Sequence, residues 1–123
     1  MTPEKTSLLH ERYPSLLGET YFECADGWFD LLDALAKNIE FRAPEVYRAV
    51  QVKEKFGGLR FYLSLRDGKE VDPKDVAAIN GMVSFAENFS LRICEDCGNP
   101  GSKRPSGWIR TLCDVCNQKR QEK

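Results

Sequence analysis

The sequence predicts an α+β fold: a small domain of helices and one β-hairpin over residues 1–92, followed by a four-cysteine zinc ribbon or treble-clef-like finger over residues 93–123. Three observations carry the prediction. Cys94, Cys97, Cys113 and Cys116 form two CxxC pairs with 15 residues between them. Trp28, Leu32, Leu35 and Ile39 recur at helical spacing, whereas from Tyr47 to Leu65 the apolar period falls to two. A two-residue gap lets both sulfurs of a pair face one ion, and four thiolates at about 2.3 Å complete the tetrahedron of a structural Zn2+ site. Redox or disulfide chemistry is the competing reading, made less tidy by the odd total of five cysteines.

At 123 residues with 41% hydrophobic content, the chain is sized for one modest core with a metal-stapled extension. It contains no run of 18 apolar residues, and its first stretch carries early charges and a proline. A soluble, cytoplasmic location without membrane contact is therefore expected, where reduced thiolates stay available to a metal. The net charge of -1 hides an asymmetry: residues 1–91 carry 11 Lys/Arg against 15 Asp/Glu, and residues 92–123 carry 7 against 4. Four thiolates and one zinc ion take about two charges off that basic excess, which leaves too little to predict nucleic-acid binding from electrostatics alone.

Leucines 8, 9, 16 and 17 around Pro14 predict a short N-terminal helix over Ser7–Tyr13, then an irregular turn to Gly18. His10, the only histidine, is expected on the surface. Asp26 reads as the cap of a helix that buries the Trp28 to Ile39 stripe and stops before Pro44. Asp26, Asp30 and Asp33 with Glu23 fit a solvated face better than a carboxylate site, and Cys24 fits a small buried side chain. Alternation then places Val50 and Val52 on one face of a first strand, and Leu59, Phe61, Leu63 and Leu65 on a second. Phe56-Gly57-Gly58 joins them, with the paired glycines expected to supply positive φ. Lys53, Lys55, Arg60 and Arg66 lie on the polar faces around Tyr62, either as a solvated surface or as a place for a nucleotide or an unpaired base.

Asp72-Pro73 is a helix start, and the helix to about Ser90 is expected to bury Val76, Ile79, Val83 and Ala86, with Met82, Phe85 and Phe89 widening the stripe. Gly81 within it weakens the helix unless it permits close packing on the sheet. In the finger, Gly98 follows the second cysteine where a knuckle turns back. Residues 99–107 read as a turn-rich excursion, residues 108–112 as a returning strand, and Cys113 as the opening of a last short helix with a frayed end at Lys119–Lys123.

Gly27-Trp28-Phe29, the segment VQVKEKFGGLRFY and the pattern ICEDCGNPG with GWIRTLCDVC together resemble a family of small proteins of bacteriophages and prophages. The likeness runs from Gly27 onward and implies phage origin and four zinc-binding cysteines, with no activity attached. Three function classes are compatible with it. The first is a non-enzymatic accessory protein that binds and modulates a host or phage protein. The second is a nucleic-acid-binding regulator in which Lys103, Arg104, Arg110, Lys119 and Arg120 hold phosphates while Trp108 or Tyr62 stacks on a base. The third is a nuclease or nucleotide-modifying enzyme, for which the chain offers no HxE motif and only the distant His10.

Overall fold

The computed structural model describes residues 1–105 and 107–122. The element order is α1 (Pro3–Arg12), α2 (Pro14–Leu17), β1 (Phe22–Glu23), a 3-10 turn (Asp26–Trp28), α3 (Phe29–Arg42), β2 (Tyr47–Lys55), β3 (Gly58–Leu65), α4 (Pro73–Ser90), β4 (Ser102–Arg104), β5 (Arg110–Leu112) and α5 (Asp114–Gln121). The first three strands form one sheet in the order β1-β2-β3, with β1 parallel and β3 antiparallel to β2. Strands β4 and β5 form a second, two-stranded antiparallel sheet within the cysteine module. The α+β class and the C-terminal cysteine module are thus as the sequence predicts.

Helix α1 begins four residues earlier than expected, because Thr2 caps it and Pro3 occupies a position where a missing N–H costs nothing. Pro14 starts the one-turn α2, so the expected irregular turn is helical. His10 is half-buried, contrary to the surface placement expected for it: its Nε2 lies 2.7 Å from the Thr20 carbonyl and its ring packs on Phe22. Asp26 does not cap α3. It lies in the 3-10 turn ahead of that helix and accepts the Thr2 N–H at 2.7 Å instead. The stripe Trp28, Leu32, Leu35 and Ile39 is buried and joins Leu9, Leu16, Leu17, Val52, Leu59, Phe61 and Ile79 in the core.

One bulge overturns the expected pairing of Val50 with Val52. Ala49 lies opposite Leu63 while Gln51 lies opposite Tyr62, so Val50 is an extra residue in β2. The insertion switches which parity faces inward: Tyr47, Ala49 and Val52 are buried while Val50 is exposed. The outer edge of β3 meets α4, where Ser90 Oγ accepts the Leu59 N–H at 2.9 Å and Glu87 Oε2 accepts the Phe61 N–H at 2.9 Å.

Helix α4 has the expected bounds, and Asp72 Oδ1 accepts the Lys74 N–H at 2.8 Å. Its buried face is narrower than expected: Ile79, Ala86 and Ser90 are buried and Val76, Met82 and Val83 half-buried. Phe85 and Phe89 are exposed and stack on each other at 5.7 Å. Gly81 does not permit close packing, since a methyl group there would meet nothing within 4 Å. Gly81→Ala is therefore expected to stabilise the protein by about 1 kcal/mol through helix propensity, measurable as a rise in the urea midpoint with unchanged m-value.

Candidate metal centre

The two cysteine pairs come from different local structures. Cys94 and Cys97 sit on a knuckle in which Gly98 N–H donates to the Cys94 carbonyl at 2.9 Å and Cys94 N–H to the Asn99 carbonyl at 2.7 Å. Gly98 takes φ +86°, the left-handed turn that a residue without Cβ makes cheaply. Cys113 caps α5 and Cys116 lies in its first turn. Between the pairs, β4 and β5 form a hairpin, so part of the excursion expected to be irregular is a strand. Ser106 of that excursion and Lys123 of the end expected to fray lie outside the described residues, while Lys119 to Gln121 are helical. A knuckle, a hairpin and a ligand-bearing helix start select the treble-clef-like alternative over the ribbon.

The four sulfurs all lie within 4.8 Å of one another, the only such His/Cys/Asp/Glu group among the described residues. Cys97 Sγ and Cys113 Sγ are 3.7 Å apart. A tetrahedron with metal–sulfur bonds of about 2.3 Å has edges of about 3.8 Å, whereas a disulfide requires about 2.05 Å. The donor set therefore fits a metal ion. The N–H of Cys116 points at Cys113 Sγ from 3.4 Å and, at the start of α5, pulls that thiol down to about 7. Burial and the neighbouring sulfurs push Cys116 up to about 12. Four thiols this close cannot all ionise against one another, and a cation between them removes the conflict.

Around this centre the module is sewn to the rest of the chain. Gly27 N–H donates to the Glu95 carbonyl at 2.7 Å, Ala25 N–H to Glu95 Oε2 at 3.0 Å, and Trp28 Nε1 to the Ile93 carbonyl at 3.0 Å. Thr111, fully buried, donates from its hydroxyl to the Gly57 carbonyl at the β2–β3 turn, 2.6 Å away. Glu95 is itself buried, and desolvation raises its carboxyl above the usual range. Neither Gly27 nor Glu95 stood out as a site residue in the sequence. An acid between two ligand cysteines reads as solvent-facing, and only the fold carries it against residues 25–27.

The basic and aromatic residues expected to form a surface separate into two groups. Lys53, Arg60 and Tyr62 lie on β2 and β3, where Glu23, Lys53 and Arg60 align across the three strands. The second group surrounds the hairpin turn and the module. Trp108 is 73% exposed and Arg110 lies over its ring at 5.4 Å. Arg104 donates to the Leu112 carbonyl and to Asp114, Arg110 approaches buried Glu95 at 3.4 Å, and Arg120 makes two bonds to Asp96 at 2.6 and 2.7 Å. Three of the module's arginines thus already have an acidic partner, while Lys103 is exposed.

Lys55 belongs with this second group, its ammonium 5.5 Å from the Phe56 ring. The turn is Phe56-Gly57, since Lys55 pairs with Gly58, and the positive φ expected of two glycines falls on Phe56 (53°) and Gly57 (84°). Positive φ at both central residues matches a type I′ turn, which asparagine and glycine favour. Phe56→Asn is expected to stabilise the protein by about 1 kcal/mol by relieving the left-handed phenylalanine, read as a higher midpoint of thermal or urea unfolding.

The carboxylates Asp26, Asp30 and Asp33 do not come together as a metal site; Asp33 binds the Tyr13 hydroxyl at 2.7 Å and Arg12 at 3.1 Å. Cys24 is buried, as expected, and burial pushes its thiol up to about 12. No helix among the described residues is long and apolar enough to cross a membrane. Comparison with family models, with curated proteins and with solved structures finds no match to the chain.

Proposed function

We propose that this is a phage-encoded, non-enzymatic accessory protein in which a zinc ion staples the C-terminal module and the assembled surface binds a host or phage protein. The observation that carries the reading is the use of all four cysteines of the module in one cluster. Four protein ligands close the coordination sphere, whereas catalytic zinc keeps a position for water or substrate. Zinc is favoured over other metals by the all-thiolate tetrahedral donor set. Phage origin rests on the resemblance of the segments from Gly27 onward.

The engaged arginines favour protein over nucleic acid as the partner. Phosphate-driven binding grows with the number of phosphates neutralised, and Arg104, Arg110 and Arg120 each face an acid of this chain. An enzymatic role finds little support in the contacts of His10 and Asp33, which tie together α1, α3 and the segment before β1. Affinity purification of a tagged copy from phage-infected cells is expected to return a stoichiometric protein partner that survives nuclease treatment. Recovery of nucleic acid alone would defeat the proposal, as would a chain that holds no zinc.

A further inference from the structure

Two clefts share one wall, the indole of Trp108. One, of about 350 Å³, is lined by Lys55, Phe56, Trp108 and Ile109 and opens at the β2–β3 turn. The other, of about 370 Å³, lies between the module's hairpin and α5 and is lined by Trp108, Arg104, Arg110, Arg120, Asn117 and Gln121. An apolar cleft therefore adjoins a guanidinium-rich one. Phe56 and Trp108 are 61% and 73% exposed, far more than the fully buried Trp28. Phe56 also occupies a backbone conformation that asparagine or glycine adopts at lower cost, so its ring is displayed against local preference. Departures of this kind concentrate where a side chain is needed for a purpose other than folding.

The geometry points to this double cleft as the protein-binding surface, and to its occupant as an acidic peptide segment. An aromatic or aliphatic side chain of the segment enters between Phe56 and Trp108, and one or two carboxylates meet the arginines on the other side of the indole. The inference rests on the protein-binding role proposed above and names the partner's chemistry. The oriented guanidinium donors of the lining select the occupant. Lys55, Arg104, Arg110 and Arg120 line the clefts against one lining acid, Glu54, whose Oε2 is held by the Gly57 N–H at 2.8 Å. The internal acids beside the three arginines fix their guanidinium planes yet occupy only some of the five N–H donors of each. Pre-oriented forks with little surplus charge suit a few carboxylates bound in pairwise geometry. A polyphosphate chain gains its affinity from many uncompensated cations instead. Exposed tryptophan beside arginine is also the composition from which the strongest protein-contact positions are drawn.

Selection of a random-peptide display library on the immobilised, zinc-loaded full chain tests the surface. The expected enrichment is for sequences with an aromatic or large aliphatic residue close to Asp or Glu. Binding of the synthesised peptide should weaken at least tenfold in Trp108→Ala and in Phe56→Asn, and should weaken likewise when its acids become amides. Both substitutions fall on exposed side chains, and Phe56→Asn is expected to raise the melting temperature, so lost binding cannot be laid to unfolding. Enriched peptides that bind both variants unchanged would overturn the surface while leaving a protein-binding role intact. A selection that yields no peptide, or only basic ones, would overturn it as well. So would oligo(dT) binding that falls steeply with salt and is lost in Trp108→Ala, because the clefts would then be reading nucleic acid.

Discussion

Removing the metal with a chelator is expected to lower the melting temperature by roughly 15 °C, about 3 to 5 kcal/mol for a domain of this size. The cysteine module has little apolar material of its own: α5 buries no side chain, and Leu112 and Thr111 are the fully buried side chains of its hairpin. Without the ion, the knuckle and the start of α5 keep only a few backbone bonds, and binding free energy that had been folding free energy is lost. Cys113→Ser should reproduce the loss and release about one metal ion per chain. Hydrogen exchange should rise first in residues 94–116 and next at the β2–β3 turn, because Thr111 holds the Gly57 carbonyl. Acid should release the metal too, since the ligands bind as thiolates and protons compete for them. Unchanged thermal stability after complete chelation would show that the ion does not support the fold.

Gly27→Ala is expected to destabilise the protein by about 3 kcal/mol, more than most single methyl additions. A Cβ at Gly27 would overlap the carbonyl oxygens of both Cys94 and Glu95. These obstacles are backbone atoms of the ligand knuckle and cannot rotate away. The knuckle would have to retreat, breaking the Gly27 to Glu95 hydrogen bond and loosening the Trp28 to Ile93 bond beside it. Metal affinity should fall with stability, because retreat moves Cys94. Competition with a chromophoric chelator would measure that fall, and thermal unfolding of the loaded protein would measure the destabilisation. Gly81→Ala is the internal contrast: the same added methyl, placed where nothing stands within 4 Å, is expected to stabilise.

What the sequence discloses depends on how locally each feature is determined. The cysteine cluster was legible because ligand spacing is a property of a few neighbouring residues, and α4 because Asp72-Pro73 marks its start. The Trp28 to Ile39 stripe was legible because one helix face is buried along its whole length. The bulge at Val50 was not, since one inserted residue leaves the composition of a strand unchanged while reversing the faces of the residues beyond it. Phe85 and Phe89 misled because hydrophobicity states which residues favour burial, whereas the number of neighbours available to α4 decides which obtain it. Strand β4 was hidden in a proline- and glycine-rich stretch because its three residues depend on β5 for pairing. The Gly27–Glu95 seam joins segments far apart in the chain. Its residues acquire their meaning only when the knuckle arrives.

The side chains of Ser90 and Glu87 on the outer edge of β3 also bear on how the molecule behaves in a crowd. An edge strand offers its outward N–H groups to any extended chain that approaches, and this is how sheets of separate molecules fuse. At Leu59 and Phe61 those donors are already taken by a hydroxyl and a carboxylate carried on a helix of the same molecule. An incoming strand would have to displace both oxygens and strand a negative charge beside its own backbone. The domain can therefore leave Phe56 and Trp108 exposed without offering this end of its sheet as a template for assembly with itself.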